Sequence, residues 1–315
     1  MPSDMVHAGW GDPARRTGLP AAAAKWLASQ VGQGRPSTPV PLPEVTVPPS
    51  RLSAAQRAAL EATGATVLVD DQARALRAAG RSYLDLLALR SGAFSAPDAV
   101  VLPARDQVAA VLAVCRELGV AVVPFGGGTS VVGGVAPLSG PHRAVVALDL
   151  RRLDQLLALS EQDLTAVLEP GLRGPEAEAL LNARGYTLGH FPQSYEHASI
   201  GGYAATRSSG QASTGYGRFD ANVLGVTVET PAGRLALGRG ASTAAGPALL
   251  QLLVGSEGTF GVITSVTMRV RPLPEVKRYD AWLVRSWEAG VEQLRRLEQS
   301  GVAPDVARLS DVDET

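Results

Sequence analysis

Pro124-Phe125-Gly126-Gly127-Gly128-Thr129-Ser130-Val131-Val132-Gly133-Gly134 follows directly on the apolar run Val120-Ala121-Val122-Val123. Glycine has no Cβ, so this backbone can adopt positive φ and approach a bound group closely. Its N–H groups can converge on a pyrophosphate, and Thr129 and Ser130 add hydroxyls to the same loop. The stretch therefore reads as a candidate phosphate cradle placed at the end of a strand.

It matches neither common nucleotide signature. A Walker loop needs Gly-Lys-Ser/Thr, whereas lysine occurs only at positions 25 and 277. The dinucleotide fingerprint needs a third glycine where Val131 stands, and it should lead into a helix rather than extended valines. A glycine-rich chain reversal with no ligand is the competing reading, and the surrounding sequence has to decide.

At 315 residues and 45% hydrophobic, the chain can bury one large core or two smaller ones. Net charge is −1 with acids and bases interspersed, which gives no electrostatic footprint for nucleic acid. Cys115 is the single cysteine and follows Val108-Ala109-Ala110-Val111-Leu112-Ala113-Val114, so a core helix position is expected. No basic and apolar leader opens the sequence and no uncharged run reaches spanning length, so a cytoplasmic, soluble protein without metal is expected. Heavy use of Ala, Gly and Arg suggests a bacterial source.

Along the chain, an N-terminal arm (1–50) holds a helical patch at Ala21–Leu27 and six prolines between Gly32 and Ser50, an extended arm or linker. A helical segment (51–97) follows: Ser53 caps a helix that stops at Gly64, Thr66–Asp70 is β-like, and Tyr83–Leu89 has helical spacing. Ala99–Leu102, Asp106–Leu118 and Val120–Val123 form a βαβ unit with helix termination at Gly119. Strands are expected at Ala144–Leu148, Gln155–Leu159, Leu164–Leu168 and Val262–Val270, and a helix at Pro175–Ala183. Val223–Thr230 and Arg234–Leu237 flank Pro231-Ala232-Gly233 as a hairpin. The fold class is α+β, with two α/β subdomains over 98–275. A new unit begins over 276–315 with a helix at Glu288–Gln299 and a strand at Val306–Leu309. Its abrupt end at Thr315 reads as a truncation.

Three further clusters share the glycine-and-hydroxyl character. They are Pro192-Gln193-Ser194-Tyr195-Glu196-His197-Ala198-Ser199-Ile200-Gly201-Gly202; Thr206-Arg207-Ser208-Ser209-Gly210; and Gly255-Ser256-Glu257-Gly258-Thr259-Phe260-Gly261-Val262-Ile263. Four such turns can wrap a long, polar, phosphate-bearing ligand.

On these residues, with Gly9-Trp10-Gly11 and Gly189-His190, the chain resembles the vanillyl-alcohol-oxidase-type flavoproteins with a PCMH-type FAD-binding domain. Within that group it is most similar to the alkylglycerone-phosphate synthase (alkyldihydroxyacetonephosphate synthase) family, almost continuously from Trp10 to Arg308. The resemblance implies FAD around Pro124–Ser130, with Gln193–Ser199, Thr206–Ser209 and Glu257–Ile263 as further cofactor segments, and Ser199, Ile200, Gly201, Gly202 and Tyr203 near the flavin ring. Thr129 stands where covalent relatives often carry histidine, so noncovalent FAD is implied. The implied activity, in ether lipid synthesis, exchanges the acyl chain of acyl-dihydroxyacetone phosphate for a fatty alcohol through a flavin N5 adduct. His190 matches a family histidine near the active site and Arg308 an arginine at its substrate end, giving the two catalytic candidates. The family's other catalytic groups lie in a C-terminal region beyond Thr315. Partners implied are a small-molecule or lipid substrate, peripheral membrane contact and a homodimer.

Plainer readings stand beside these. His190 could be a satisfied structural histidine, His197 is the weaker ligand candidate, and His7 and His142 read as surface residues. Arg207 and Glu257 could be only a structural ion pair, Arg308 an interdomain salt-bridge residue, and Trp10 a packing anchor. The chain departs from the synthase pattern at Phe191 and Gln193, where acidic residues are typical, and at Ala78-Ala79-Gly80-Arg81, which lacks histidines. The alternatives are an FAD-linked D-2-hydroxy-acid dehydrogenase or oxidase, and a flavin-binding fragment without turnover. Arg207-Ser208-Ser209-Gly210 differs from the Asn-Ala-Gly-Gly-like turn of the hydroxy-acid enzymes, which favours the synthase type.

Overall fold

The computed structural model describes residues 5–15, 17–34, 38–238, 244–302 and 304–312. Helices and strands are mixed in two compact units, Met1–Arg152 with Glu229–Gly233, and Leu153–Val228 with Arg234–Thr315.

The first unit opens with α1 (Ala21–Val31) and α2 (Ala54–Glu61). Ser53 starts α2 with a reciprocal box: its Oγ accepts the Gln56 N–H (3.2 Å), and Gln56 Oε1 accepts the Ser53 N–H (2.9 Å). Such a cap contributes about 1 kcal/mol by satisfying donors that the first turn leaves open. Gly64, at φ +82°, turns the chain into β1 (Thr66–Leu68). Asp70 caps α3 (Asp71–Ala75), and Ser82 with Asp85 boxes α4 (Tyr83–Ser91). Then come β2 (Ala99–Leu102), α5 (Val108–Leu118), β3 (Val120–Phe125) and β4 (Ala144–Asp149).

Val108, Val111, Leu112 and Cys115 form the buried stripe of α5, and burial pushes the Cys115 thiol up to about 12. The sheet order is β1-β2-β4-β3. The βαβ unit is thus present, but β4 lies between its two strands and pairs parallel with both. β2 and β4 are buried along their whole length, as parallel strands covered on both faces should be.

Three expectations are decided here. Of the two readings of the proline-rich segment, the ordered arm holds and the linker does not: Val45 and Val47 are buried beside Ala75, with Val40, Leu42 and Phe94 against them. His7 is half-buried rather than on the surface, its ring centroid 5.6 Å from that of Phe94. Trp10 is no anchor, being 47% exposed.

Asp98 ties the start of β2 to the rest of the unit. Its carboxylate accepts from Arg51 N–H (2.6 Å), Arg51 Nη2 (2.9 Å) and Val145 N–H (2.8 Å). Burial opposes its charge, but the Arg51 and backbone bonds outweigh burial and hold the carboxyl below its ordinary value. A depressed folded-state pKa contributes stability above the unfolded carboxyl value of about 3.9, lost as pH falls through the folded value. Wild type is therefore expected to exceed Asp98→Asn in urea midpoint at pH 7, with the gap closing below about pH 4.

The second unit holds β5 (Leu156–Ser160), β6 (Thr165–Leu168), α6 (Gly174–Asn182), β7 (Tyr186–Thr187), α7 (Ile200–Thr206), α8 (Ser213–Tyr216) and α9 (Phe219–Asn222). After these come β8 (Val223–Thr230), β9 (Gly233–Leu237), whose connecting residues Glu229–Gly233 count with the first unit, α10 (Leu249–Leu253), β10 (Val262–Arg269), β11 (Arg271–Pro272) and α11 (Trp287–Gln299). The large sheet runs β5-β6-β10-β8-β9, and β7 pairs with β11. In β10 the alternate residues Val262, Thr264, Val266 and Met268 are buried, and Val266 and Met268 pack in a core that includes Leu168, Ile200 and Phe219. At the β8–β9 hairpin, Thr230 Oγ1 accepts the Ala232 N–H (3.1 Å) and donates to the Gly233 carbonyl (2.8 Å).

Val306–Leu309 forms no strand. Leu309 lies against Gly290 of α11, where a Cβ would come within 2.6 Å of its Cδ1. Among the described residues, no helix is long and apolar enough to cross a membrane, and no cluster of potential metal ligands occurs.

Candidate functional site

The glycine loop leaves β3 at Phe125, whose carbonyl accepts the Leu150 N–H (3.0 Å). Gly128 sits at φ +67°, where a Cβ would come within 2.7 Å of Phe125 Cζ. Two contacts hold the far side. The Ser130 carbonyl accepts the Arg81 N–H (2.6 Å) and leaves no room for a side chain at Gly80. The Ser130 hydroxyl accepts the Gly134 N–H (3.0 Å), so it is engaged inside its own turn. The N–H groups from Gly126 to Ser130 donate to no acceptor among the described residues. Five consecutive donors on a loop clamped at both ends are the donor set that an anion-binding nest uses. Gly80 and Arg81, which buttress this loop, were noted in sequence reasoning only for a lack of histidines. Their signal was faint, a glycine just ahead of the Ser82 cap.

In the second unit the predicted turns interlock. Ser199 caps α7, its Oγ accepting the Gly202 N–H (3.3 Å). Ile200 is fully buried, and a Cβ on Gly201 would meet Pro170 Cβ at 2.6 Å. These three therefore act first in packing, while Gly202 and Thr206 lie nearer solvent. Gln193 is exposed, and the Ser194 carbonyl accepts the N–H groups of His197 (2.9 Å) and Ala198 (2.8 Å).

Arg207 ends α7 at φ +51°. Its Nε donates to the Val254 carbonyl (3.0 Å) and its Nη2 to that of Gln251 (2.6 Å). Its carboxylate partner is Asp220 (Nη1–Oδ2 3.6 Å), so the alternative of a structural Arg207–Glu257 ion pair does not hold. Glu257, at φ +50°, is attached through its backbone instead, its N–H donating to the Ala205 carbonyl (3.0 Å), as Gly255 N–H does to Ala204 (3.0 Å). The 199–209 and 255–263 segments are thereby brought together, with Ser209, Thr259 and Phe260 exposed and Val262–Ile263 entering β10.

His190 is 6% exposed, wedged edge-on against Tyr203 (centroids 4.8 Å) and tilted against Phe219 (5.0 Å). Its Nε2 lies 2.9 Å from Ser208 Oγ, and its buried Nδ1 has no hydrogen-bond partner. Burial pushes its pKa down to about 4, so the ring is neutral at pH 7. The same environment pushes the Tyr203 phenol far up.

The turn before His190 rests on Glu178, whose Oε1 accepts the N–H groups of Leu188 (3.0 Å) and Gly189 (3.2 Å) while Oε2 accepts the Thr187 hydroxyl (2.7 Å). Burial raises the Glu178 carboxyl despite these bonds. His197 is buried, and Arg308 is exposed. Glu178 and Phe219 escaped sequence reasoning because each reaches the site across the fold and carries no local motif, whereas Tyr203 belongs to the 199–203 stretch already singled out.

With this geometry in place, the comparisons with known proteins are specific. Residues 97–237 match the family described as FAD binding domain. The alkyldihydroxyacetonephosphate synthase of Trypanosoma brucei brucei is 37% identical over 252 residues, covering 79% of this chain and 41% of that protein. A D-lactate dehydrogenase (cytochrome), mitochondrial, of Arabidopsis thaliana is 36% identical over 187 residues, covering 58% of this chain and 32% of that one. A solved alkyldihydroxyacetonephosphate synthase structure superposes with TM-score 0.86 at 28% identity, covering 96% of this chain and 60% of that one. The chain thus spans less than two thirds of these relatives' lengths. Its clamped glycine loop and interlocked turns, read with these matches, place the chain among the flavoproteins with a PCMH-type FAD-binding domain.

Proposed function

We propose that the chain binds FAD noncovalently and belongs to a transferase of the alkylglycerone-phosphate synthase type, which releases the acyl chain of an acyl-dihydroxyacetone phosphate as a fatty acid and installs a fatty alcohol. The observation that carries this is the run of unpaired N–H groups from Gly126 to Ser130 in a chain so similar to a named synthase. Pyrophosphate oxygens fit that donor set, since they supply several acceptors and a negative charge.

Thr129 has no nitrogen for a histidyl link, which supports noncovalent attachment. Pro124 and Phe125 would anchor the pyrophosphate loop, and backbone groups of Gln193–Ser199, Thr206–Ser209 and Glu257–Ile263 would serve the rest of the cofactor. FAD, when bound, supplies a nucleophilic ring nitrogen for a displacement without net redox. His190, being neutral, can hold one proton at a ring nitrogen without placing a buried charge beside the reacting atoms. Arg308 offers an exposed cation for the substrate phosphate. A cytoplasmic, bacterial homodimer meeting a membrane surface to collect its lipid substrate completes the proposal.

The test is the visible spectrum of the purified, dialysed chain, followed by acid precipitation. Yellow protein with flavin in the supernatant supports noncovalent FAD, and labelled fatty alcohol entering an ether product supports the transfer. A colourless chain that also refuses added FAD would overturn both. Gly128→Ala is expected to weaken FAD binding at least tenfold by fluorescence titration. Its positive φ costs a side chain about 1–2 kcal/mol, and the buried Phe125 ring must also move.

A second reading, an FAD-linked D-2-hydroxy-acid dehydrogenase, is favoured by the 36% identity to a D-lactate dehydrogenase. Prompt flavin bleaching by D-lactate or glycolate would put it first.

A further inference from the structure

The Ser130 end of the glycine loop is held by more than the Arg81 backbone. Arg81 is 7% exposed, and its guanidinium donates to carbonyls, Nη1 to Gly80 (2.8 Å) and Nη2 to Val6 (3.4 Å). Val6 belongs to a closed turn, its N–H donating to the Gly11 carbonyl (2.9 Å), next to a buried Met5. Residues 5–11 of the first unit therefore lie against the same arginine whose N–H reaches the Ser130 carbonyl. A buried cation that loses an acceptor is costly, so departure of residues 5–11 draws Arg81 toward water. The Gly80–Arg81 turn that clamps Ser130 would loosen with it.

His7 is the sensitive point of this segment. Its Nε2 is buried with no hydrogen-bond partner, so a charged ring would carry an unmet buried donor. Burial first, and the Arg81 charge second, lower the His7 pKa. The other surroundings offer no relief. Phe94, on which the ring packs, sits among the apolar Val45 and Val47. In the adjoining turns, Asp12 accepts the Ala14 N–H (2.9 Å), and Asp85 accepts the Ser82 N–H (3.1 Å) and hydroxyl (2.7 Å).

We propose that residues 5–11 are a strap that sets cofactor affinity, docked on Arg81 while His7 is neutral and released when His7 takes a proton. The strap itself follows from contacts within the first unit, whereas its effect on FAD rests on the flavoprotein reading above. Once it is released, the ligand must itself order the N–H groups from Gly126 to Ser130, and binding weakens. The lowered folded value gives the sign. Docking is complete above the unfolded histidine value of about 6.5 and is lost as pH falls through the folded one.

The test is FAD titration of the full chain by flavin fluorescence at about pH 7.5 and about pH 5, with amide hydrogen exchange of residues 5–11 and 80–82 followed without FAD. Wild type should lose about fivefold in FAD affinity on acidification, together with exchange protection of both segments. His7→Phe keeps a ring on Phe94 and takes no proton, so its affinity should change by less than about twofold. His7→Arg carries the charge permanently and should bind weakly, with residues 5–11 unprotected, at both pH values. Wild-type affinity independent of pH, or an equal fall in His7→Phe, overturns the His7 switch. Full protection of residues 5–11 in His7→Arg overturns the strap. Protection lost in His7→Arg, in a chain that binds no FAD at either pH, supports the strap and overturns the flavoprotein reading instead.

Discussion

Asp149→Ala is expected to destabilise the first unit by about 4 kcal/mol, lowering its urea midpoint by roughly 2 M. Asp149 is fully buried at the end of β4, opposite Phe125 in the register. Its Oδ2 accepts from Arg77 Nε (2.9 Å) and Arg151 Nε (2.9 Å), and its Oδ1 from the Arg151 N–H (3.1 Å). Arg77 is itself only 5% exposed. Removing the carboxylate takes the shared counter-charge from two guanidinium groups, and the loss of one partner costs far more than the intact set is worth. Asp149→Asn keeps one acceptor oxygen and should lose about half as much. Because Phe125 begins the glycine loop, FAD affinity should fall along with stability in the alanine variant. A midpoint within 0.3 M of wild type, by an order-of-magnitude reading of a surface substitution, would show that the cluster is not what holds this end of the sheet.

What was legible in the sequence was what short-range chemistry decides. Ser53 three residues before Gln56, and Gly119 after an apolar stripe at i, i+3, i+4 and i+7, mark helix ends through bonds a few residues long. The glycine loop was visible for the same reason, since Gly128 needs a positive φ that other residues resist.

What escaped depends on pairing across the chain. Nothing local in Val120–Val123 says that the Ala144–Asp149 strand will slot in between it and Ala99–Leu102. Nor does the Arg207 neighbourhood reveal that its carboxylate will come from Asp220 and not Glu257; both are acidic, and only the fold brings one of them near. The proline-rich segment left arm and linker undecided. Its prolines do keep it extended, but Val45 and Val47 between them carry enough apolar surface to draw it into the core.

Site residues divide the same way. The 199–203 turn was placed near the flavin ring by resemblance, and Gly201 has a packing reason of its own in Pro170. Composition alone does not separate a glycine needed for a ligand from one needed for packing. The distinction lies in what a Cβ would strike, and for Gly128 and Gly201 it would strike the protein itself.

Gly189→Ala is expected to cost ~3 kcal/mol or more and to displace His190. The residue lies at φ +67°, and a Cβ there would overlap the Tyr216 ring at Cδ1 and Cε1. The ring cannot step aside cheaply. Arg271 stacks on it, its guanidinium carbon 4.8 Å from the centroid, and donates to the Tyr216 carbonyl through Nη2 (3.2 Å). Asn222 Nδ2 holds the same carbonyl at 2.8 Å. On the other side the Gly189 N–H is fixed by Glu178 and by Thr187 Oγ1 (3.0 Å), so the backbone cannot retreat either. The strain should therefore pass to the next residue, His190, and lengthen its 2.9 Å contact to Ser208. A double-mutant cycle separates the two causes. In a Tyr216→Ala background the overlap is gone and only the backbone penalty of about 1–2 kcal/mol should remain, giving a coupling of roughly 2 kcal/mol. Additive losses in that cycle would mean that the turn before His190 is set by Glu178 alone, and that Tyr216 serves Arg271 instead.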